Sequence, residues 1–246
     1  MAPALVLLHG FTQTRQSWRR TVQALHGRYR ALAPDLPGHG QSTYRTASFD
    51  AATAYIRALA PATRFTLAGY SMGGRIALHA AFALHPERLI LIGASPGLQD
   101  PDERAARKLA DDALADRIEA IGIEAFAREW AAQPLFDGQP ERARAAANAD
   151  RLRNTPQGLA AALRGLGTGV MEPLWNRLQE LQTPTTLVVG ERDAKFLATA
   201  ERMLERLPRA HLVVIPESGH APQLEAPERV AEAIYQSGSP SSSDSA

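Results

Sequence analysis

The chain predicts an α/β fold, a mostly parallel sheet with helices on both faces, on three observations. Short apolar runs alternate with helical patterns over most of the 246 residues. A serine sits between glycines where one such run passes into a helix, in Gly69-Tyr70-Ser71-Met72-Gly73. His9, Asp35, Ser71, Asp193 and His220 each fall just after a predicted strand, and open parallel sheets bind ligands at those carboxyl ends.

The elements follow in order. Ala4-Leu5-Val6-Leu7-Leu8 is a continuous apolar run, the pattern of a strand buried on both faces. Further strands are predicted at residues 29–33, 64–68, 88–92, 185–189 and 211–215. Helices are predicted at residues 18–25, 49–59, 72–83, 195–207 and 227–235, between and after them. The alternation breaks between Gly97 and Gln182, where an Ala-, Arg- and Glu-rich stretch shows helical patterns and no convincing strand. That stretch, 97–182, is read as a helical lid inserted into a core made of 1–96 and 183–236. The serine-rich residues 237–246 have the composition of a disordered tail.

Composition excludes several classes of function. A net charge of +1 gives no bulk attraction to nucleic acid or to a membrane surface. With no cysteine there is no thiolate nucleophile, disulfide or cysteine metal site. No apolar run approaches the ~20 residues that span a bilayer, and the N-terminal residues lack the basic leader of a signal peptide. A cytoplasmic enzyme is the expectation. The histidines are scattered rather than clustered with carboxylates, and Gly93-Ala94-Ser95-Pro96-Gly97 is no dinucleotide fingerprint. Neither a metal nor a cofactor is expected.

The chemistry centres on Ser71. G-x-S-x-G between a strand and a helix is the nucleophile elbow of an α/β-hydrolase fold, in which the turn lifts the hydroxyl above the sheet. Serine becomes reactive when a histidine takes its proton, and a carboxylate holds that histidine in the required tautomer. In this fold the chain order is Ser, then acid, then His. Among seven histidines, His220 alone stands in a Gly-flanked loop after the last strand. Asp193, further beyond its strand than Glu191, is the candidate acid. Charge developing on a substrate oxygen needs two backbone N–H donors. Met72, just after the serine, and Phe11, after His9-Gly10, are placed to supply them. Arg75 lies one helical turn beyond Ser71, on a face that can reach the same pocket.

With those residues in place, the chain resembles the 2-succinyl-6-hydroxy-2,4-cyclohexadiene-1-carboxylate (SHCHC) synthases of menaquinone biosynthesis, the MenH family of the α/β-hydrolase superfamily. The likeness runs through Gly69-Tyr70-Ser71-Met72-Gly73-Gly74-Arg75 and the acid loop Gly190-Glu191-Arg192-Asp193-Ala194-Lys195-Phe196. It extends into the lid at Ser95-Pro96-Gly97-Leu98-Gln99, Glu129-Trp130, Gln133-Pro134-Leu135-Phe136 and Leu166-Gly167-Thr168-Gly169, where hydrolase families usually diverge. The resemblance implies a lyase that removes pyruvate from 2-succinyl-5-enolpyruvyl-6-hydroxy-3-cyclohexene-1-carboxylate (SEPHCHC). It implies a small substrate with several carboxylates, met by Arg75, Arg107 and Arg151, with Arg153 as a less favoured substitute for Arg151. Tyr70 and Trp130 are expected in the pocket wall, and the protein is expected to be a monomer.

The alternative is a serine hydrolase of esters or carbon–carbon bonds, using Ser71 as nucleophile. The arginines disfavour apolar esters, because unpaired guanidinium groups beside an apolar ligand are costly. A binding module would have no need of all three triad members. One departure from the fold's common pattern concerns the sheet edge. Many of its members place two antiparallel strands before the first parallel one, and here Ala4–Leu8 comes directly.

Overall fold

The computed structural model describes residues 2–60 and 64–236; the expectation for the serine-rich tail lies outside them. Six strands form one sheet: β1 (Ala4–Leu8), β2 (Arg30–Leu32), β3 (Phe65–Tyr70), β4 (Arg88–Ile92), β5 (Thr185–Gly190) and β6 (Ala210–Ile215). All neighbours are parallel, in the order β2-β1-β3-β4-β5-β6. The order turns outward on either side of β1 and β3, and there the chain ends of the strands leave a crevice. Register aligns Leu8 with Gly69 and Tyr70 with Ile92, so the loops after β1, β3 and β4 emerge side by side.

The sheet is covered by α1 (Arg19–Ala24), α2 (Phe49–Leu59), α3 (Met72–Leu84), α7 (Ala194–Leu204) and α9 (Pro227–Gln236). Successive strand residues point to opposite faces, and β1 shows it. Leu5 and Leu7 join Trp18, Ile90 and Ile234 on one face, while Val6 and Leu8 join Leu67, Ile76 and Leu89 on the other. Both faces are therefore core, which is why β1 is apolar throughout.

Between β4 and β5 the described elements are helical. They are α4 (Pro101–Ala131), α5 (Glu141–Arg151) and α6 (Pro156–Leu166), with 3₁₀ turns at Pro134–Phe136 and Trp175–Glu180. Asp100 caps α4 by accepting from the N–H groups of Asp102 and Glu103, and Gly122 breaks its regular dihedrals at φ 78°, ψ 170°. Ala115, Ile118 and Phe126 of α4 pack on Leu159 and Leu163 of α6, a small core separate from the sheet's. No helix among the described residues is long and apolar enough to cross a membrane.

Boundaries differ from the sequence reading where a neighbour decides them. The second strand shrinks from 29–33 to Arg30–Leu32. It pairs on one side only, at the sheet edge, and no described strand precedes β1. The first helix opens as a 3₁₀ turn, Arg15–Trp18, because the Thr14 side chain caps it by accepting from Gln16 N. The helix after β5 starts at Ala194, capped by Asp193, and ends at Leu204 rather than 207. A four-residue helix, α8 (Pro222–Glu225), was not foreseen; it follows the His220 loop directly.

The turn from β3 into α3 is the sharpest local demand. Ser71 stands at φ 51°, ψ −111°, a conformation that costs an L residue on the order of 1–3 kcal/mol. A Cβ at Gly69 would lie 2.3 Å from the carbonyl oxygen of Gly73, and one at Gly73 would lie 2.3 Å from that of Leu8. Both contacts are backbone, so neither can yield cheaply. The two glycines let α3 start directly against β1.

Candidate active site

The loops after β3, β5 and β6 bring Ser71, Asp193 and His220 together. His220 Nδ1 donates to Asp193 Oδ2 at 2.6 Å, and Ser71 Oγ lies 3.3 Å from His220 Nε2. The short bond to a carboxylate places the proton on Nδ1, leaving Nε2 to accept the serine proton. The 3.3 Å separation is at the long end for such a bond, as is common before a substrate is bound. Asp193 is itself fixed, because its other oxygen accepts from Phe196 N at the start of α7. The rings of Phe196 and Tyr70 lie 4.5 and 5.3 Å from that of His220 and exclude water from it. Glu191, the rejected alternative, instead accepts from Glu217 N at the surface.

The two expected N–H donors belong to Met72, next to the serine, and Phe11, which lines the same cavity as Ser71. Met72 is the first residue of α3, so its N–H has no acceptor within the helix. Phe11 lies inside a turn closed by Gln13 N donating to Gly10 O at 3.2 Å, which leaves the N–H of Phe11 outside the turn's own bonding.

A cavity of about 40 Å³ adjoins Ser71 and His220, walled by Phe11, Tyr70, Trp130, Phe136, Gln139, Arg151 and Leu224. Arg151 is the cation in that wall. It is 3% exposed, and its guanidinium carbon stands 5.3 Å from the centre of the Phe136 ring. Its Nε has no hydrogen-bond partner among the described residues. Burial lowers its pKa, yet arginine starts so high that the charge persists at neutral pH. Arg153, two residues on, points elsewhere and sits 3.8 Å from Asp150. Burial, with the carboxylates of Glu225 and Asp193 next, raises the pKa of Tyr70 and keeps its phenol neutral.

Arg75 and Arg107 depart from the sequence expectation. Neither is in the cavity wall. Arg75 donates to the carbonyl of Leu166 at 3.0 Å, and burial followed by the charge of Arg107 lowers its pKa to about 10. Arg107 pairs with Asp111 at 2.7 Å, a carboxylate only 3% exposed. The buried Asp111 explains the difference: it holds Arg107, and its charge offsets some of the repulsion between the two arginines. No group of three or more metal-binding side chains assembles among the described residues.

Two further groups support the site from beneath. His9 and His39 lie buried under the Phe11 turn with ring centres 5.0 Å apart. His9 accepts from Leu36 N at 2.9 Å and donates to Gly10 O. Burial lowers His9 to about 4 and His39 to about 3, the latter also through His9. Both stay neutral in the folded protein while the unfolded chain takes up protons near pH 6.5. Their contribution is therefore complete above that pH and declines as pH falls toward 4. Each histidine removes about 1.4 kcal/mol per pH unit in that window. Urea midpoints should drop steeply between about pH 7 and about pH 5; a flat profile would contradict this account.

The second is Glu225, in sequence one acid in Ala221-Pro222-Gln223-Leu224-Glu225-Ala226. Its carboxylate accepts from Gly219 N at 2.7 Å and Ala221 N at 3.2 Å, the amides on either side of His220. It also accepts from Gln139 Nε2 at 3.3 Å, tying the His220 loop to the cavity wall. Glu225→Ala should lower kcat by about 10²-fold, the cost of a misplaced catalytic group. Glu225→Gln, which keeps an acceptor, should recover part of it. Equal activity of all three proteins would remove the role.

The sheet, the strained serine turn and the convergence of Ser71, His220 and Asp193 define an α/β hydrolase, and the alpha/beta hydrolase family pattern matches residues 5–233. A provisionally assigned SHCHC synthase of Bacillus subtilis is 37% identical over 237 residues, 91% of this chain and 86% of that protein. The SHCHC synthase of Salmonella agona is 34% identical over 241 residues, 96% of this chain and 93% of that one. The structure of MenH from S. aureus superposes with a TM-score of 0.91 at 33% identity, covering 96% of this chain and 93% of that one. The chain belongs to the SHCHC synthase (MenH) family of α/β-hydrolase enzymes.

Proposed function

We propose that this enzyme is a lyase of menaquinone biosynthesis that eliminates pyruvate from SEPHCHC to give SHCHC, working in the cytoplasm as a monomer. The observation that carries the reading is the Ser71–His220–Asp193 array beside a wall holding a buried, underpaired arginine. Relatives named as SHCHC synthases over nearly the whole chain support it.

In this reading His220 Nε2 takes the Ser71 proton, and Asp193 stabilises the imidazolium that forms. Ser71 Oγ then removes the ring proton acidified by the succinyl ketone. Negative charge moves to the ketone oxygen, where the N–H groups of Met72 and Phe11 and the start of α3 stabilise it. The electrons return to expel the enolpyruvyl oxygen, and the His220 imidazolium gives its proton to the departing enolate, leaving the conjugated diene, pyruvate and a neutral His220. The serine acts as a base throughout, so no acyl-enzyme is required.

Arg151 binds one substrate carboxylate. Arg75 and Arg107 reach others only when released from Leu166 and Asp111. A space of about 40 Å³ holds little more than a water molecule, so residues 97–182 act as a lid that opens for entry. The test is pyruvate release from freshly made SEPHCHC, with diene absorbance followed in parallel. Both should appear together, faster than the spontaneous reaction. A folded protein that gives no acceleration rejects the lyase and returns the triad to a hydrolytic role, to be examined on an ester panel.

A further inference from the structure

A groove of roughly 370 Å³ lies between α1 and α5, outside the Ser71 cavity. Arg19 and Arg20 enter it from α1, Arg142 from α5 and Arg153 from the turn beyond. Some exposed arginines elsewhere meet acids, as Arg64 does Glu87 at 2.8 Å, Arg117 Glu129 at 2.6 Å and Arg164 Asp116 at 2.6 Å. The groove is poor in such partners. Arg19 and Arg20 have no acidic partner within 4.0 Å among the described residues, and Arg142 donates to the backbone carbonyl of Glu225.

The one carboxylate in the wall is Asp150, and it is already occupied. One of its oxygens accepts from Thr14 N at 2.8 Å and the other from the Thr14 hydroxyl. Its approach to Arg153 is a loose 3.8 Å. Four arginines thus line one groove that has a single committed counter-charge. A cleft lined by one sign of charge concentrates counter-ions of the other.

We propose that this groove is a second binding site, for a small molecule carrying two or more carboxylates. Guanidinium forks match carboxylates with paired hydrogen bonds, and the volume is that of a small-ligand site. The inference stands on the groove's own charge and size and not on the proposed reaction. Its position adds significance. Leu224 lines the groove and also the Ser71 cavity, and α5 turns Ala146 and Ala149 to the groove while Arg151 enters the cavity. A bound polycarboxylate therefore rests against a side chain that also lines the serine cavity.

Citrate titrated calorimetrically into the whole protein at low ionic strength tests this. Saturable binding is expected, weakening with added salt. The R20A/R153A double variant changes exposed residues only, and its affinity should fall at least about tenfold with an unchanged thermal melt. Arg151→Met should bind citrate within about twofold of the parent protein. The reverse pattern, with binding lost in Arg151→Met and kept in the double variant, places the anion in the serine cavity and overturns the proposal. Absence of saturable binding overturns it as well. Pyrophosphate run in parallel should bind more weakly than citrate; binding of pyrophosphate alone would reject the carboxylate class.

Discussion

Ser71→Ala should lower kcat for pyruvate release by about 10²–10⁴-fold, the range of a lost acid–base group, while leaving KM within several-fold. In the proposed mechanism the hydroxyl takes the reacting proton, and removing it leaves the rest of the wall standing. Alanine adds no volume at a position whose strain is fixed by Gly69 and Gly73. His220→Ala should cost a similar amount, and the double variant little more than either, because the two groups work as one unit. Stopped turnover with retained substrate binding is the expected pair of results. Wild-type rates in Ser71→Ala would end the base mechanism.

The second large effect belongs to Arg151. Removing it should lower kcat/KM by about 10²–10³-fold, since a substrate carboxylate would be left buried without its partner. The loss should sit mainly in KM if the carboxylate is held equally before and during reaction. Arg104→Ala removes only an outlying bond to the Leu98 carbonyl and should change little. Comparable small losses in both would mean that the carboxylate is held elsewhere. Arg75→Ala should also exceed Arg104→Ala, because Arg75 is buried on Leu166.

The inner strands β1, β3, β4 and β5 were legible because they are buried on both faces and so are written as largely apolar runs. Ala4–Leu8 and Arg88–Ile92 match residue for residue. The edge strand was overestimated, because pairing partners and not composition decide where an edge strand stops. Ser71, Asp193 and His220 could be found because each follows a strand, and strand ends converge whatever lies between them. The arginines were harder. A chain with arginine at almost every basic position gives no contrast between Arg75, which bonds a backbone carbonyl, and Arg151, which faces the cavity. That choice depends on where the Leu166 carbonyl comes to rest, 91 residues along the chain from Arg75. Glu225 was missed for another reason: two of its partners are backbone amides, which leave no trace in side-chain pattern.

The close approach of Gly73 to the carbonyls of Leu8 and His9 has a consequence for how this enzyme can change. Met72 immediately precedes that contact on one side, and Phe11 follows it by two residues on the other. The contact therefore works as a gauge block between the two N–H donors, setting their spacing by backbone alone. Residues 97–182 meet the cavity in two ways: Leu135, Phe136 and Ala147 only line it, whereas Asn154, which donates to Thr12 O at 2.9 Å, and Trp130, 5.3 Å from the Phe11 ring, brace the Phe11 turn. Substitutions in the first set can reshape what enters without detuning the N–H groups proposed to receive the charge. The molecule is divided into a fixed instrument and an adjustable mount, and new specificities are reached most readily through the parts of the mount that leave the turn alone.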